Sequence, residues 1–413
     1  MTADSSRNAA MDMLRGCAVL GIVWMNIGAF ALPAAAYFNP AIAGPLTPAD
    51  IAMWAIGFVA VDGKMRALFA MLFGASMLLL IDREEMAGRN GARTHLIRAG
   101  WLFIIGLAHY LLLWWGDILM SYAIVGCVAL LFVRREPFDL LKAALLAFLL
   151  HFLLCAIFAA GIYGWAHAAA APGATAATRD GYAAFLAAYT PGSPAVAAEI
   201  ATHRGPLSAI VADRLAGLPL DWLRTLPFNG FETLGFMLLG MAMLKGGFLT
   251  GRWDSGQYWR TARHCFLIGL PPMIALAIWA ILSGFAPMTM MGILMLWSFP
   301  LRIPLAVGWA ALILWLFARH RSHWLVARLI AAGRLTLSNY LGASLMMTAI
   351  FHGWGLGLFA RIGLAWLPLF VIGAWIVMLL WSPAWAKRFA TGPAEWLWRS
   401  LARGHPQKIR KTV

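Results

Sequence analysis

Residues 12–30 read DMLRGCAVLGIVWMNIGAF. The run is as long as a membrane span, for which a bilayer core needs about 20 apolar residues. It nevertheless carries Asp12 and Arg15 at its start and Asn26 near its far end. A helix turns ~100° and rises ~1.5 Å per residue, so Arg15 and Asn26 return to nearly the same face ~16 Å apart. Polar groups at those depths are costly in hydrocarbon and face a bundle interior or a wet cavity. Two readings stand: Arg15 snorkels beside Asp12 while Asn26 bonds a neighbouring helix, or the pair marks a site.

The rest of the chain has the same character. Of 413 residues, 62% are hydrophobic and 12% charged, with mean hydropathy +0.76. A soluble domain carries about 25% charged residues, so the composition excludes a soluble enzyme. It predicts an all-α, polytopic bundle of about ten spans near 12–32, 65–81, 96–115, 117–133, 141–166, 227–244, 264–285, 291–317, 326–350 and 362–386. Ile51–Val61 is too short to cross and is predicted to be re-entrant or interfacial. The polar start, Met1–Met11, followed by a long apolar run reads as a retained span rather than a cleaved leader. Four units follow: a membrane half (1–166), an external loop between spans five and six (167–226), a second membrane half (227–387) and a basic tail (388–413).

Charge sets the expected orientation. Alternate loops and the tail hold 24 of the 32 Lys and Arg residues, which places both termini in the cytoplasm by the positive-inside rule. The net charge of +15 is spread over those loops, which suits topology and anionic lipid and argues against nucleic acid as a partner. Cys17, Cys127, Cys155 and Cys265 fall in apolar segments without ligand spacing and read as small core residues, with no metal called for.

Several polar residues interrupt the apolar spans. DGKMR at 62–66 sets Asp62 and Arg66 one helical turn apart, either an i,i+4 ion pair or the wall of a site. His109 lies eleven residues beyond Arg98, ~16 Å into its helix. It can bridge two helices, or take a proton from an attacking hydroxyl or amine. Asp117 follows the Trp115-Gly116 turn, either as a helix-start acid or as a partner of His109. Glu232 has no basic residue within a helical turn. Arg302 sits between Pro300 and Pro304, which are expected to break the helix and leave either a structural knot or an unwound site for an anionic group. Asn339 gives the ninth span a polar face, and His352 lies in the following GWGLG turn.

Together these stretches resemble a known family. The first helix, the segment DGKMRALFAMLFGAS (62–76), the central GLAHYLLLWWGDILMSYAIVG (106–126), AAGRLTLSNYLGASLMMTAIFHGWGLGLF (331–359) and GPAEWLWRSLARG (392–404) resemble the YeiB-like family of bacterial membrane proteins, domain-of-unknown-function family 418, over nearly the whole chain. That family looks related to the heparan-glucosaminide acetyltransferases and, more distantly, to glycan-modifying membrane acyltransferases. The latter carry Arg, ten residues, then His; here the same spacing ends in Asn26. The histidine that precedes the second span in the heparan-glucosaminide branch has no counterpart.

The resemblance implies an inner-membrane acyltransferase that takes acetyl-CoA or another acyl-CoA from the cytoplasm to a hydroxyl or amine acceptor such as a cell-envelope glycan. Membrane lipids and a glycan or lipid-linked acceptor are the expected partners, and a homodimer stays open. In this reading His109, Asp117 and Asn26 are catalytic, and Arg15, Asn339 and Arg302 bind the donor. Asp62, Arg66, Glu232 and His352 meet the acceptor. The alternative is a transporter or lipid scramblase, with Asp62, Asp117, Glu232 and Arg302 along a polar path.

Overall fold

The computed structural model describes the backbone of residues 3–411 and the side chains of 9–218 and 226–411. In chain order the α-helices are α1 (Ala3–Ala31), α2 (Pro48–Ile56), α3 (Lys64–Met86), α4 (Gly91–Leu112), α5 (Leu119–Ala129), α6 (Pro137–Ala170), α7 (Ala176–Ala187) and α8 (Pro194–Arg204). They continue with α9 (Leu207–Lys245), α10 (Ser255–Leu282), α11 (Pro287–Met291), α12 (Phe299–Arg319), α13 (Trp324–Arg334), α14 (Thr336–Phe351), α15 (Leu367–Arg388) and α16 (Pro393–Arg403). There is no strand among the described residues, so the all-α bundle is observed.

Among the described residues, seven helical stretches are long and apolar enough to cross a bilayer: Ala9–Ala31, Pro48–Met86, Gly91–Leu112, Pro137–Ala170, Ser255–Leu282, Phe299–Arg319 and Leu364–Arg388. The other expected spans differ in form. Residues 117–133 give the shorter apolar helix Leu119–Phe132, and 227–244 closes the 39-residue α9. The stretch 326–350 breaks at Leu335 into α13 and α14. The expected external stretch 168–226 is filled by α7, α8 and the first turns of α9.

α1 is the central helix, packed against α3, α12, α13, α14 and α15. Two glycine pairs fix the bundle. A Cβ at Gly16 would lie 2.1 Å from the Leu329 carbonyl oxygen and one at Gly333 1.8 Å from that of Asp12, so α1 and α13 touch backbone to backbone. Gly74 and Gly240 do the same for α3 and α9, each against the other helix's backbone, at 2.2 Å from Met237 O and 2.0 Å from Met71 O. Small residues at such crossings let helices approach where lipid offers no hydrophobic drive.

Two π turns, Gly57–Val61 and Gly292–Trp297, precede α3 and α12. The two prolines around Arg302 therefore do not unwind the chain. Pro300 lies in the first turn of α12, where a missing N–H costs nothing, and Pro304 is carried inside the helix; the irregularity is the π turn before Ser298.

Candidate functional site

His109 and Asp117 meet because the α4–α5 connection is forced tight. Trp114 is buried with its ring 4.3 Å from that of Phe30. A Cβ at Gly116 would strike the Trp114 ring at 2.3 Å, so glycine is required there. The turn returns Asp117 Oδ2 to 2.8 Å from His109 Nδ1, both side chains 1% exposed. Asp117 Oδ1 accepts the Met120 N–H at 2.9 Å and so caps the first turn of α5. Gly106 makes room, since a Cβ there would lie 2.8 Å from Asp117 Oδ1.

A carboxylate on Nδ1 holds the histidine proton on that nitrogen and leaves the Nε2 lone pair open. Nε2 is buried and has no hydrogen-bond partner among the described residues. The Tyr340 ring stands 5.0 Å from the imidazole. Tyr340 also lines a narrow cavity between α1 and α14, with Asn26, Phe30 and Ser344 on its wall and space for about one water. Arg15 is not at this level.

A second group forms where α3, α9 and α12 converge. Arg66 Nη2 lies 2.8 Å from Glu232 Oε2, and Arg302 Nη1 3.5 Å from Glu232 Oε1. Asp62 Oδ2 is 3.9 Å from Arg302 Nη2 and accepts from Tyr37 Oη at 3.2 Å. Arg302 also donates to the Leu294 carbonyl of the π turn at 2.6 Å and to Ser298 Oγ at 2.9 Å. The expected Asp62–Arg66 pair is not made. Gly63, at φ 71°, stands between Asp62 and the first residue of α3, so the two are not on one helical ladder. Glu232, isolated in sequence, instead receives both arginines. Tyr122 of α5 donates to the Arg66 carbonyl at 3.2 Å, which sets this group beside α5, the helix that Asp117 caps.

The remaining candidates lie elsewhere. Arg15 donates to Asp12 Oδ1 at 2.6 Å and Ser76 Oγ at 2.7 Å, and Asp12 Oδ2 also meets Arg334 Nε at 3.3 Å. Ser76 is thirteen residues along α3 from Gly63, so Arg15 and Arg302 are separated by ~20 Å of helix. Asn339 is fully engaged: it donates to the Ala332 carbonyl at 3.0 Å and Ser382 Oγ at 3.1 Å, and accepts from Trp381 Nε1 at 2.7 Å. Beside it Glu395 of α16 accepts the Leu337 and Ser338 N–H groups at 2.7 and 3.2 Å, docking α16 on the start of α14. His352 is buried at the opposite end of α14, its ring 5.1 Å from His203, with neither nitrogen partnered. Twelve residues of α14 separate it from Tyr340, about 18 Å, so it does not join His109.

Tyr37, Tyr122 and Ser298 also belong to these groups and were not singled out in the sequence; Lys64 and Tyr340 stand beside residues that were, without a role of their own. Lys64 is 1% exposed in the middle of the quoted DGKMR, and its depth was the missing signal. Among the described residues no three of His, Cys, Asp and Glu gather as a metal-holding group.

Fold and geometry define a polytopic helical membrane protein with a buried His–Asp dyad beside a buried charged group. The chain belongs to the YeiB-like family. The model of the family described as "Protein of unknown function (DUF418)" matches residues 243–405. The chain is 32% identical over 421 residues to the uncharacterized protein YeiB of Escherichia coli (strain K12), covering 98% of this chain and 99% of that protein. It is 27% identical to the uncharacterized protein YxaH of Bacillus subtilis (strain 168), covering 99% and 98%. No solved structure matches it.

Proposed function

We propose that this protein is a membrane acyltransferase that passes an acyl group, such as acetyl, from a cytoplasmic acyl-CoA to a hydroxyl or amine acceptor on the far side of the bilayer. The observation that carries the reading is the His109–Asp117 pair at 2.8 Å with Nε2 buried and unpartnered. A histidine oriented by a carboxylate, with its second nitrogen free, is the arrangement a general base needs.

His109 Nε2 would take the proton of the acceptor O–H or N–H as that atom attacks the thioester carbonyl. The C–S bond breaks and the thiolate leaves with the proton that His109 returns. Asn26, on the cavity wall beside Tyr340, would donate to the carbonyl oxygen as charge develops there. Arg15, part-exposed at the end of the bundle that carries the chain termini, would hold donor phosphates. The basic loops support a cytoplasmic-membrane location with the termini inside.

Transport is supported less well. A polar path needs titratable groups through the whole depth, whereas on α3 the residues between Arg66 and Ser76 are ALFAMLFGA.

The test is calorimetric binding of acetyl-CoA to the purified protein in detergent, with thiol release followed on adding candidate acceptors. Arg15→Ala should weaken binding, while His109→Ala should leave binding intact and stop thiol release. A folded protein that binds no acetyl-CoA overturns the proposal.

A further inference from the structure

The charged group at the Asp62–Gly63 turn does not balance. Lys64, Arg66 and Arg302 bring three cations; Asp62 and Glu232 bring two carboxylates. Glu232 is clamped between the two arginines, and Asp62 touches Arg302 at 3.9 Å. Lys64, 1% exposed, has no carboxylate within ion-pair distance among the described residues. Its ammonium donates to the Phe58 carbonyl and lies 5.5 Å from the Phe58 ring centre.

The pairs that do form are loose. Charge-assisted contacts settle at about 2.7–2.9 Å, yet two of the three here span 3.5 and 3.9 Å. Arg302 Nε and Glu232 Oε1 are buried without a hydrogen bond. A buried cation without a counter-ion is disfavoured, and the unpartnered Arg302 Nε–H in the same group is the complement of an anion. The group is also reachable: the Arg66 and Asp62 side chains are 29% and 18% exposed, and Tyr37, which donates to Asp62, is 46% exposed.

We infer that Lys64, Arg66 and Arg302 form a binding site for one singly charged oxyanion, a carboxylate or phosphodiester, which enters beside Tyr37 and completes the charge balance of the buried group. Two arginine forks and a lysine suit planar or tetrahedral oxyanions alike. Gly63 belongs to the site because a Cβ there would lie 2.6 Å from Arg302 Cδ, so only glycine lets the turn close over the guanidinium. The anion is the headgroup of a membrane lipid or the charged group of a soluble molecule. The site does not depend on the acyl-transfer reading.

The experiment follows thermal unfolding of the full chain in detergent by tryptophan fluorescence, titrating acetate and inorganic phosphate against chloride at matched ionic strength. A parallel arm uses nanodiscs of phosphatidylcholine with and without phosphatidylglycerol. The expected result is a saturable rise of roughly 5 °C in at least one arm. Lys64→Met should abolish that rise without lowering the ligand-free midpoint, and Lys64→Arg should restore it. A response to the free anions points to a soluble source, and a response to phosphatidylglycerol alone points to a headgroup. His109→Ala must respond like the wild type, which separates anion binding from the dyad's chemistry. No shift in any arm, or an unchanged shift in Lys64→Met, overturns the inference.

Discussion

The two ends of the bundle treat buried polarity in opposite ways. At the end where α1 starts and α16 docks, Asp12, Arg15 and Asn339 are each matched by partners from two helices, and Glu395 by three groups at the start of α14. In the other half, His109 Nε2, Glu232 Oε1, Arg302 Nε and both nitrogens of His352 are buried without a hydrogen bond. Buried polar groups are normally satisfied, and exceptions call for an explanation. One end has the economy of a joint; the other keeps open valences where a ligand or proton can be received.

The largest expected effect sharpens that contrast. His109→Ala should lower the proposed acyl transfer by about 10²–10⁴-fold and cost only about 1–3 kcal/mol of stability, the penalty of leaving Asp117 Oδ2 buried without its partner. Thiol release and thermal unfolding of the same preparation check both halves. Comparable losses of activity and stability would assign His109 to the frame.

Glu232→Ala should act the other way. It leaves Arg302 buried beside Arg66 with its main counter-ion gone, a loss of about 3–5 kcal/mol, read from unfolding in detergent. A midpoint that holds would show the arginines already neutralised by something else.

At the terminal end, Glu395→Ala removes the acceptor for two N–H groups at the start of α14 and should cost about 2–3 kcal/mol. Limited proteolysis should then release α16 before the bundle unfolds. Its retention would show that the aromatic contact of Trp398 with Arg98, 4.2 Å from ring centre to guanidinium, is sufficient to hold that helix.

The smallest effect concerns pH. Burial holds the His352 imidazole, in the turn after α14, down at about 3, with His203 and Arg214 adding repulsion. A histidine depressed in the fold contributes stability that is present above its unfolded value near 6.5 and is lost as pH falls toward 3. Stability should drop by about 2 kcal/mol between pH 7 and 5 from this group. His352→Phe, which keeps the ring beside Phe359, should remove that part of the acid slope.

What the sequence revealed depended on distance along the chain. Asp12 with Arg15 was legible because i,i+3 contacts follow from helix geometry, and His109 with Asp117 because eight residues and Gly116 leave few ways to turn. Glu232 was opaque. Its pairing with Arg66 spans 166 residues, and its register is set by Gly74 and Gly240, whose role appears only when α3 meets α9. The Asp62–Arg66 pairing was misread for a local reason, since Gly63 can end a helix inside what looks like one continuous turn. The break at Leu335 left little trace, because apolar periodicity runs on through it.

The glycine pairs also decide how the molecule can move. Where α1 meets α13 and α3 meets α9, backbone rests on backbone, and sliding either pair would drive carbonyls into one another. Those seams are hinges that cannot open. The contact of α1 with α14 is different: it encloses the cavity at Asn26, and α14 starts afresh after the break at Leu335. Parting α1 from α14 drives no carbonyl into another backbone, so of these three seams it is the one that can admit a long thin chain.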